Sequence, residues 1–274
     1  TIFAAIDIGS YELELKIYEL SKARGMKELD CVRHRLELGT DTYSTGKVGP
    51  EKMEELCEVL LSFTGIMKSY GASQYRAFAT SAIREAENSA IVLDQIRVRT
   101  GIEVKVLSNS EQRFIYYKAV ASRETNFNKI IEKATAFVDV GAGSSQISLF
   151  DKKHLITTQN IKLGAVRLQE RLRGMDLEIS GKRRILNELV DNEIQTFHKH
   201  FLKDREIRHL IAVGDPLVYY VRKILGEGES EWIPAQQLQQ LYERVMKMPL
   251  GELAYQMDQT GEAGSLVVPA QTIV

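Results

Sequence analysis

"AAIDIGS" at residues 4–10 and "AFVDVGA" at residues 136–142 share one pattern: apolar residues, Asp, an apolar residue, Gly and a small residue. Asp7 corresponds to Asp139 and Gly9 to Gly141 at a constant offset. Self-similarity at the first strand of both halves predicts an internal duplication of one α/β unit. Residues 2–8 are a nearly all-apolar run, the pattern of a strand buried on both faces. Leu13, Leu15 and Ile17 then alternate with Glu12, Glu14 and Lys16, as a half-buried partner strand does, and residues 26–39 supply a third. The second copy repeats the series over 135–150 and 154–161.

Between the copies, Pro50 and Glu51 open a helix over 50–70 with Met53, Leu56, Leu60 and Phe63 at helical spacing. Residues 75–80 read as strand, 81–101 as one or two helices, 102–107 as strand, and 108–122 as a serine-capped helix. The lysine- and asparagine-containing stretch 123–133 is the candidate boundary, giving domains 1–123 and 124–274. The second half continues with a helix at 165–172 and a longer one at 181–201. The latter carries Leu186, Val190, Ile194, Phe197 and Phe201 on one stripe. A strand over 207–214 and helices over 215–225 and 235–247 follow. The final "VVPAQTIV" breaks off inside what reads as a helix start, which leaves a continuation beyond residue 274 open.

Composition narrows the function classes. Hydrophobic residues at 44%, charged residues at 27% and five prolines describe an ordinary globular protein. A formal net charge of −1 gives no global attraction to nucleic acid or an anionic membrane, so neither is expected as a partner. Cys31 and Cys57, without metal-type spacing, point to a reducing compartment. The N-terminus reaches Asp7 and Glu12 almost at once, unlike a signal peptide, and no apolar run of about 18 residues could span a bilayer. A cytoplasmic location is expected.

A strand ending in Asp and followed by a glycine turn has a concrete chemical use. Glycine permits positive φ and lets a phosphate approach without a Cβ in the way. Consecutive N–H groups then form an anion-binding concavity, and the Asp can hold Mg²⁺. On this reading Gly9, Ser10 and Tyr11 in one turn, and Gly141, Ala142, Gly143, Ser144 and Ser145 in the other, are phosphate-binding candidates. Asp7 and Asp139 are metal candidates. Two such hairpins facing across a cleft would grip a phosphate chain from both sides, whereas a single copy could be a mere tight turn. The basic runs 33–35 and 181–184 read as solvated faces. His198 and His200, two apart on a helix, diverge and are not a metal pair. Trp232 reads as packed against the surface.

Five stretches, "AAIDIGS", "FATSAIREAEN", "GIEVKVLSNSEQRFIYYKAV", "FVDVGAGSSQISLF" and "IKLGAVRLQE", resemble in order and spacing the exopolyphosphatase/guanosine-pentaphosphate phosphatase (Ppx/GppA) family. The resemblance implies an actin-like, sugar-kinase-like fold of two ribonuclease-H-like domains around a cleft. It also implies removal of a terminal phosphate from polyphosphate or guanosine pentaphosphate with Mg²⁺, and it leaves a homodimer open. It places Arg84 near the phosphate, and Arg167 is similar.

The sequence departs from the family pattern where the chemistry sits. The first loop, usually D-x-G-S-N-S, has Tyr11 for Asn. The central helix usually opens S-G-E-E-E-A, its last glutamate being the base; Gln112 stands there, with Glu111 one position earlier. The second hairpin, usually D-I-G-G-G-S-T-E, has Ala142 for a glycine and Gln146 for the glutamate. The family's glycine-threonine loop after A-V-G is replaced by "DPL", with Asp215. An amide cannot take a proton near neutral pH, and loss of a general base costs ~10²–10⁴ in rate. The expectation is therefore a protein that binds polyphosphate or a guanosine polyphosphate with weak or no hydrolysis. The alternative is an active hydrolase using Glu111 as base, although one residue along a helix turns a side chain by roughly 100°. An ATP-using kinase of the same fold is a third reading, weakened by the lack of an adenosine-pocket motif near "AVGDP".

Overall fold

The structure, a computed structural model, describes residues 1–214 and 232–248. The helix expected over 215–225, Asp215 and the closing "VVPAQTIV" lie outside the described residues. The chain divides into two compact units, Thr1–Phe114 and Ile115–Val274.

In the first unit, β1 (Ile2–Ile8), β2 (Glu12–Ser21) and β3 (Gly25–Arg35) form an antiparallel meander, followed by helices α1 (Leu38–Thr45) and α2 (Pro50–Ser69). Next come β4 (Gln74–Ala79), α3 (Ser81–Glu85), α4 (Ser89–Thr100) and β5 (Val104–Val106). The sheet order is β3-β2-β1-β4-β5, with β1 parallel to β4. One face of β1, carrying Ala4, Ile6 and Ile8, joins Leu56, Leu60 and Phe63 of α2 and Val92 and Ile96 of α4 in a single core. Asp7, on the other face, is exposed. The all-apolar run therefore forms a strand with one fully buried face, not two.

Helix α5 (Asn109–Arg123) runs across the division between the units, whereas the sequence boundary at 123/124 falls at its C-terminal end. The candidate boundary stretch, 123–133, contains a short helix, α6 (Phe127–Ile130). The second unit repeats the first: β6 (Thr135–Val140), β7 (Ser145–Asp151) and β8 (His154–Ile161) form the meander, followed by α7 (Ala165–Leu172) and α8 (Ile179–Phe197). A π-helical turn (His198–Leu202), β9 (His209–Val213) and α9 (Ala235–Lys247) complete it. Its order, β8-β7-β6-β9 with β6 parallel to β9, copies β3-β2-β1-β4, as the repeated motif predicts.

Both faces of β7 are buried. Ile147 and Leu149 pack with Leu168 of α7 and Leu186 and Val190 of α8. Phe137 and Phe150, on the opposite face, pack with Tyr116, Tyr117 and Val120 of α5 and with Phe127 of α6. Ile194, assigned to the buried stripe of α8, is exposed instead. Helix α1 was not expected. Its sequence, Leu38–Thr45, is rich in hydroxyl-bearing residues and gave no apolar period to detect.

The β7–β8 turn places Lys152 and Lys153 at φ 50° and 68°, the two-residue turn form with both central φ positive. Their N–H groups donate to the carbonyls of Glu132 and Ile131, fixing the hairpin against the segment before β6. Lysine is strained there and asparagine is not. Lys152→Asn should stabilise the protein by about 1 kcal/mol, read as a higher midpoint in denaturant unfolding.

Candidate functional site

Each glycine turn closes in the same way. Gly9 N–H donates to Glu12 O at 3.0 Å, and Gly141 N–H donates to Ser144 O at 3.0 Å. Neither glycine has a positive φ, contrary to the expected use of glycine here. Their requirement is closeness: a Cβ would stand 2.8 Å from Glu12 O at position 9 and 3.0 Å from Ser144 O at position 141.

Both turns are then pinned by their carbonyls to the segment that follows the third strand. In the first unit, Tyr11 O accepts from the N–H groups of Leu36 and Glu37, and Ser10 O accepts from Gly39 N–H at the start of α1. In the second, Ala142 O accepts from Val166 and Arg167 N–H at the start of α7, and Gly143 O accepts from Arg167 Nε at 2.6 Å. A trans peptide directs its C=O and N–H to opposite sides. Pinning these carbonyls against α7 turns the N–H groups of Gly143 and Ser144 away from it. Among the described residues, nothing accepts from the N–H of Ala142, Gly143 or Ser144. A set of N–H groups without acceptors is the kind of surface that can receive an anion. Gly164 makes the approach feasible, since a Cβ there would meet Ala142 O and Gly143 C, both at 2.4 Å.

Two of the hydroxyls assigned to phosphate, those of Ser10 and Ser145, are used inside the protein. Ser10 Oγ lies 2.7 Å from the Tyr43 hydroxyl and 2.8 Å from Ser81 Oγ, and Tyr43 donates to Ser81 at 3.0 Å, closing a ring of three hydroxyls. Ala82 N–H also donates to Ser10 Oγ. Ser145 Oγ donates to Leu163 O at 2.5 Å. The Tyr11 ring carries the Arg35 guanidinium 5.0 Å from its centroid, and burial raises its hydroxyl pKa against the lowering effect of Arg35. Tyr43, Ser81 and Gly164 were not among the expected site residues. Only "LGAV" in the family-like stretch signalled the last.

The two strand-end aspartates differ. Asp7 is exposed and faces Glu14 in the β1–β2 register, with Glu14 held by Arg33 Nε at 2.7 Å and Lys16 Nζ at 3.1 Å. Asp139 is buried, faces Gln146 at the equivalent position of β6–β7, and lies beside Gly214. Gly214, at φ 121°, could not carry a Cβ without crowding Val140 O at 3.2 Å. Gln146 is 4% exposed, and among the described residues neither its Nε2 nor its Oε1 has a hydrogen-bond partner. Its neighbour in β8 is Asn160, so the sheet row here reads carboxylate, amide, amide. This row offers Mg²⁺ less than two facing carboxylates would. It offers one carboxylate, and among the described residues no three His, Cys, Asp or Glu side chains group as metal ligands.

The entry to α5 has its own lock. Ser108 Oγ accepts from Glu111 N–H, while the Glu111 carboxylate accepts from Ser108 N–H at 3.0 Å, a capping box. Lys105 Nζ adds an ion pair at 2.7 Å. Lys105 first, then the Ser108 N–H and hydroxyl, pull the Glu111 carboxyl down to about 2. Gln112 follows on the helix, its N–H donating to Ser108 O. Arg84 Nη1 donates to Leu107 O at 2.6 Å, fixing the strand end that carries Ser108. The basic run 33–35 is paired as well: Arg33 with Glu14, His34 with Glu55 and Arg35 with Glu37. The Trp232 ring meets His209 edge-on at 6.0 Å.

A duplicated, mixed α/β sheet with glycine turns after each first strand defines the actin-like fold. The crystal structure of an exopolyphosphatase from Cytophaga hutchinsonii shares it, with a TM-score of 0.77 at 19% identity over 99% of this chain and 88% of that one. The Aquifex aeolicus Ppx/GppA family member does too, with a TM-score of 0.71 at 19% identity over 100% of this chain and 88% of that one. Residues 17–263 match the Ppx/GppA phosphatase family, and the chain belongs to it. Exopolyphosphatase 1 of Mycobacterium tuberculosis is 28% identical over 164 residues, 60% of this chain and 46% of the relative. The chain thus spans about half the length of that relative.

Two substitutions test this geometry. Gly164→Ala should cost about 1–3 kcal/mol in denaturant unfolding, because backbone and not a flexible side chain occupies the space. Glu111→Ala should lower the thermal midpoint at pH 7. The Glu111 pKa is depressed on folding, so its contribution is full above its ordinary 4.5 and is lost as pH falls through about 2. The gap between wild type and variant should close over that window.

Proposed function

We propose that this protein binds a phosphoanhydride chain, inorganic polyphosphate or a guanosine polyphosphate, at its outward-turned N–H groups and hydrolyses it weakly or not at all. One observation carries the reading. The residues at both family glutamate positions are amides, Gln112 and Gln146, and the neighbouring carboxylate that could replace the base is committed elsewhere. Glu111 caps α5, pairs with Lys105 and is held near pKa 2, which makes it a poor proton acceptor near neutral pH. The relative named Exopolyphosphatase 1 favours polyphosphate as the first ligand to try.

The test is phosphate release from polyphosphate and from guanosine pentaphosphate in Mg²⁺, run beside binding to both. Wild type should bind and release little. Gln112→Glu with Gln146→Glu should raise turnover measurably, by restoring a proton acceptor and a cation-holding charge. Each single change should do less, because base and metal-organising group act as a unit. Robust wild-type turnover that Glu111→Gln abolishes would reverse the reading and make Glu111 the base.

A further inference from the structure

Gln146 is the most unusual polar side chain among the described residues. It is 4% exposed, and neither amide heteroatom has a partner among the described residues. A buried amide left unsatisfied is costly, and its cost is ordinarily met by a ligand, a water or a neighbouring group. Its place gives the ligand's chemistry. Gln146 stands directly across the β6–β7 ladder from Asp139, so the two side chains share a sheet face. It follows Ser144, whose N–H is turned outward, by two positions. An ionised phosphoryl oxygen can accept but not donate, so it would meet the amide through Nε2–H.

Charge decides what else is needed. A carboxylate at this position, opposite Asp139, would set two negative groups against an anionic ligand, and a divalent cation would have to intervene. A neutral amide removes one of those charges and adds two donors. We infer that this site takes the phosphate chain without Mg²⁺, with Gln146 Nε2 donating to a phosphoryl oxygen in place of the metal. This inference rests on the binding reading above, and the experiment separates the two.

Binding of inorganic polyphosphate to the full chain is measured by titration calorimetry in EDTA and in Mg²⁺, together with thermal unfolding of each variant. Wild type should bind alike in both, within about twofold. Gln146→Glu should lose about tenfold or more in EDTA and recover in Mg²⁺, the scale of one hydrogen bond to a charged group. Gln146→Leu should lose a similar factor in both media, yet unfold at the same or a higher temperature, because the amide it removes makes no bond within the protein. A purely structural glutamine would instead lower the unfolding temperature. Wild-type binding that requires Mg²⁺, or undiminished binding by Gln146→Leu, overturns the inference and leaves the binding reading standing. Absence of binding in both media overturns the binding reading and the inference with it.

Discussion

The site depends on carbonyls more than on glycine. In each unit the turn after the first strand is held by N–H donors from the segment that follows the third strand: Leu36, Glu37 and Gly39 hold Ser10 and Tyr11, and Val166 and Arg167 hold Ala142. The free N–H groups at a helix start are usual anion sites. Here they are spent on a neighbouring turn, and in the second unit that turn's own N–H groups are left without acceptors among the described residues. Planarity of the peptide links the two, since fixing one side of each amide fixes the other. The glycines at 9, 141 and 164 serve this arrangement by leaving room for backbone to meet backbone.

On this shared scaffold the halves have diverged. The first unit covers its sheet with α2 and α4 on the Ala4 face, leaves Asp7 exposed, and ties the facing Glu14 into surface ion pairs with Arg33 and Lys16. Exposed pairs of this kind contribute little to stability. The second unit buries both faces of β7, and with them Asp139 and an amide at the corresponding position. The same sheet position is thus a solvated salt bridge in one half and a desolvated polar contact point in the other.

Much of this was legible in the sequence because it rests on short-range pattern. The Asp-x-Gly repeat gave the duplication, alternation gave β2, and helical spacing gave α2 and α7. What was hidden depends on contacts distant in the chain. The Ser10–Ser81–Tyr43 ring joins three separate segments, so Ser10 reads equally well as a phosphate ligand. Gly9 and Gly141 suggested positive φ, since a sequence cannot tell a glycine needed for torsion from one needed for proximity. Helix α1 had no apolar period, and Ile194 fits the stripe of α8 on spacing yet is exposed. The capping role of Glu111 was readable in Ser108 and Glu111 three apart; its ion pair with Lys105 was not.

That the Gln146 side-chain amide makes no hydrogen bond within the described structure has an evolutionary corollary. Glutamine and glutamate codons differ by a single base, so interconversion at this position is among the shortest steps a gene can take. The exchange would break no side-chain hydrogen bond within the described structure; what it adds is a buried charge facing Asp139, which a bound cation would offset. A lineage could therefore exchange one residue for the other in a single step, without rebuilding the sheet around it. Sequence identity across the family would then be a poor guide to which members turn over their ligand, and the residue facing the second strand-end aspartate a better one.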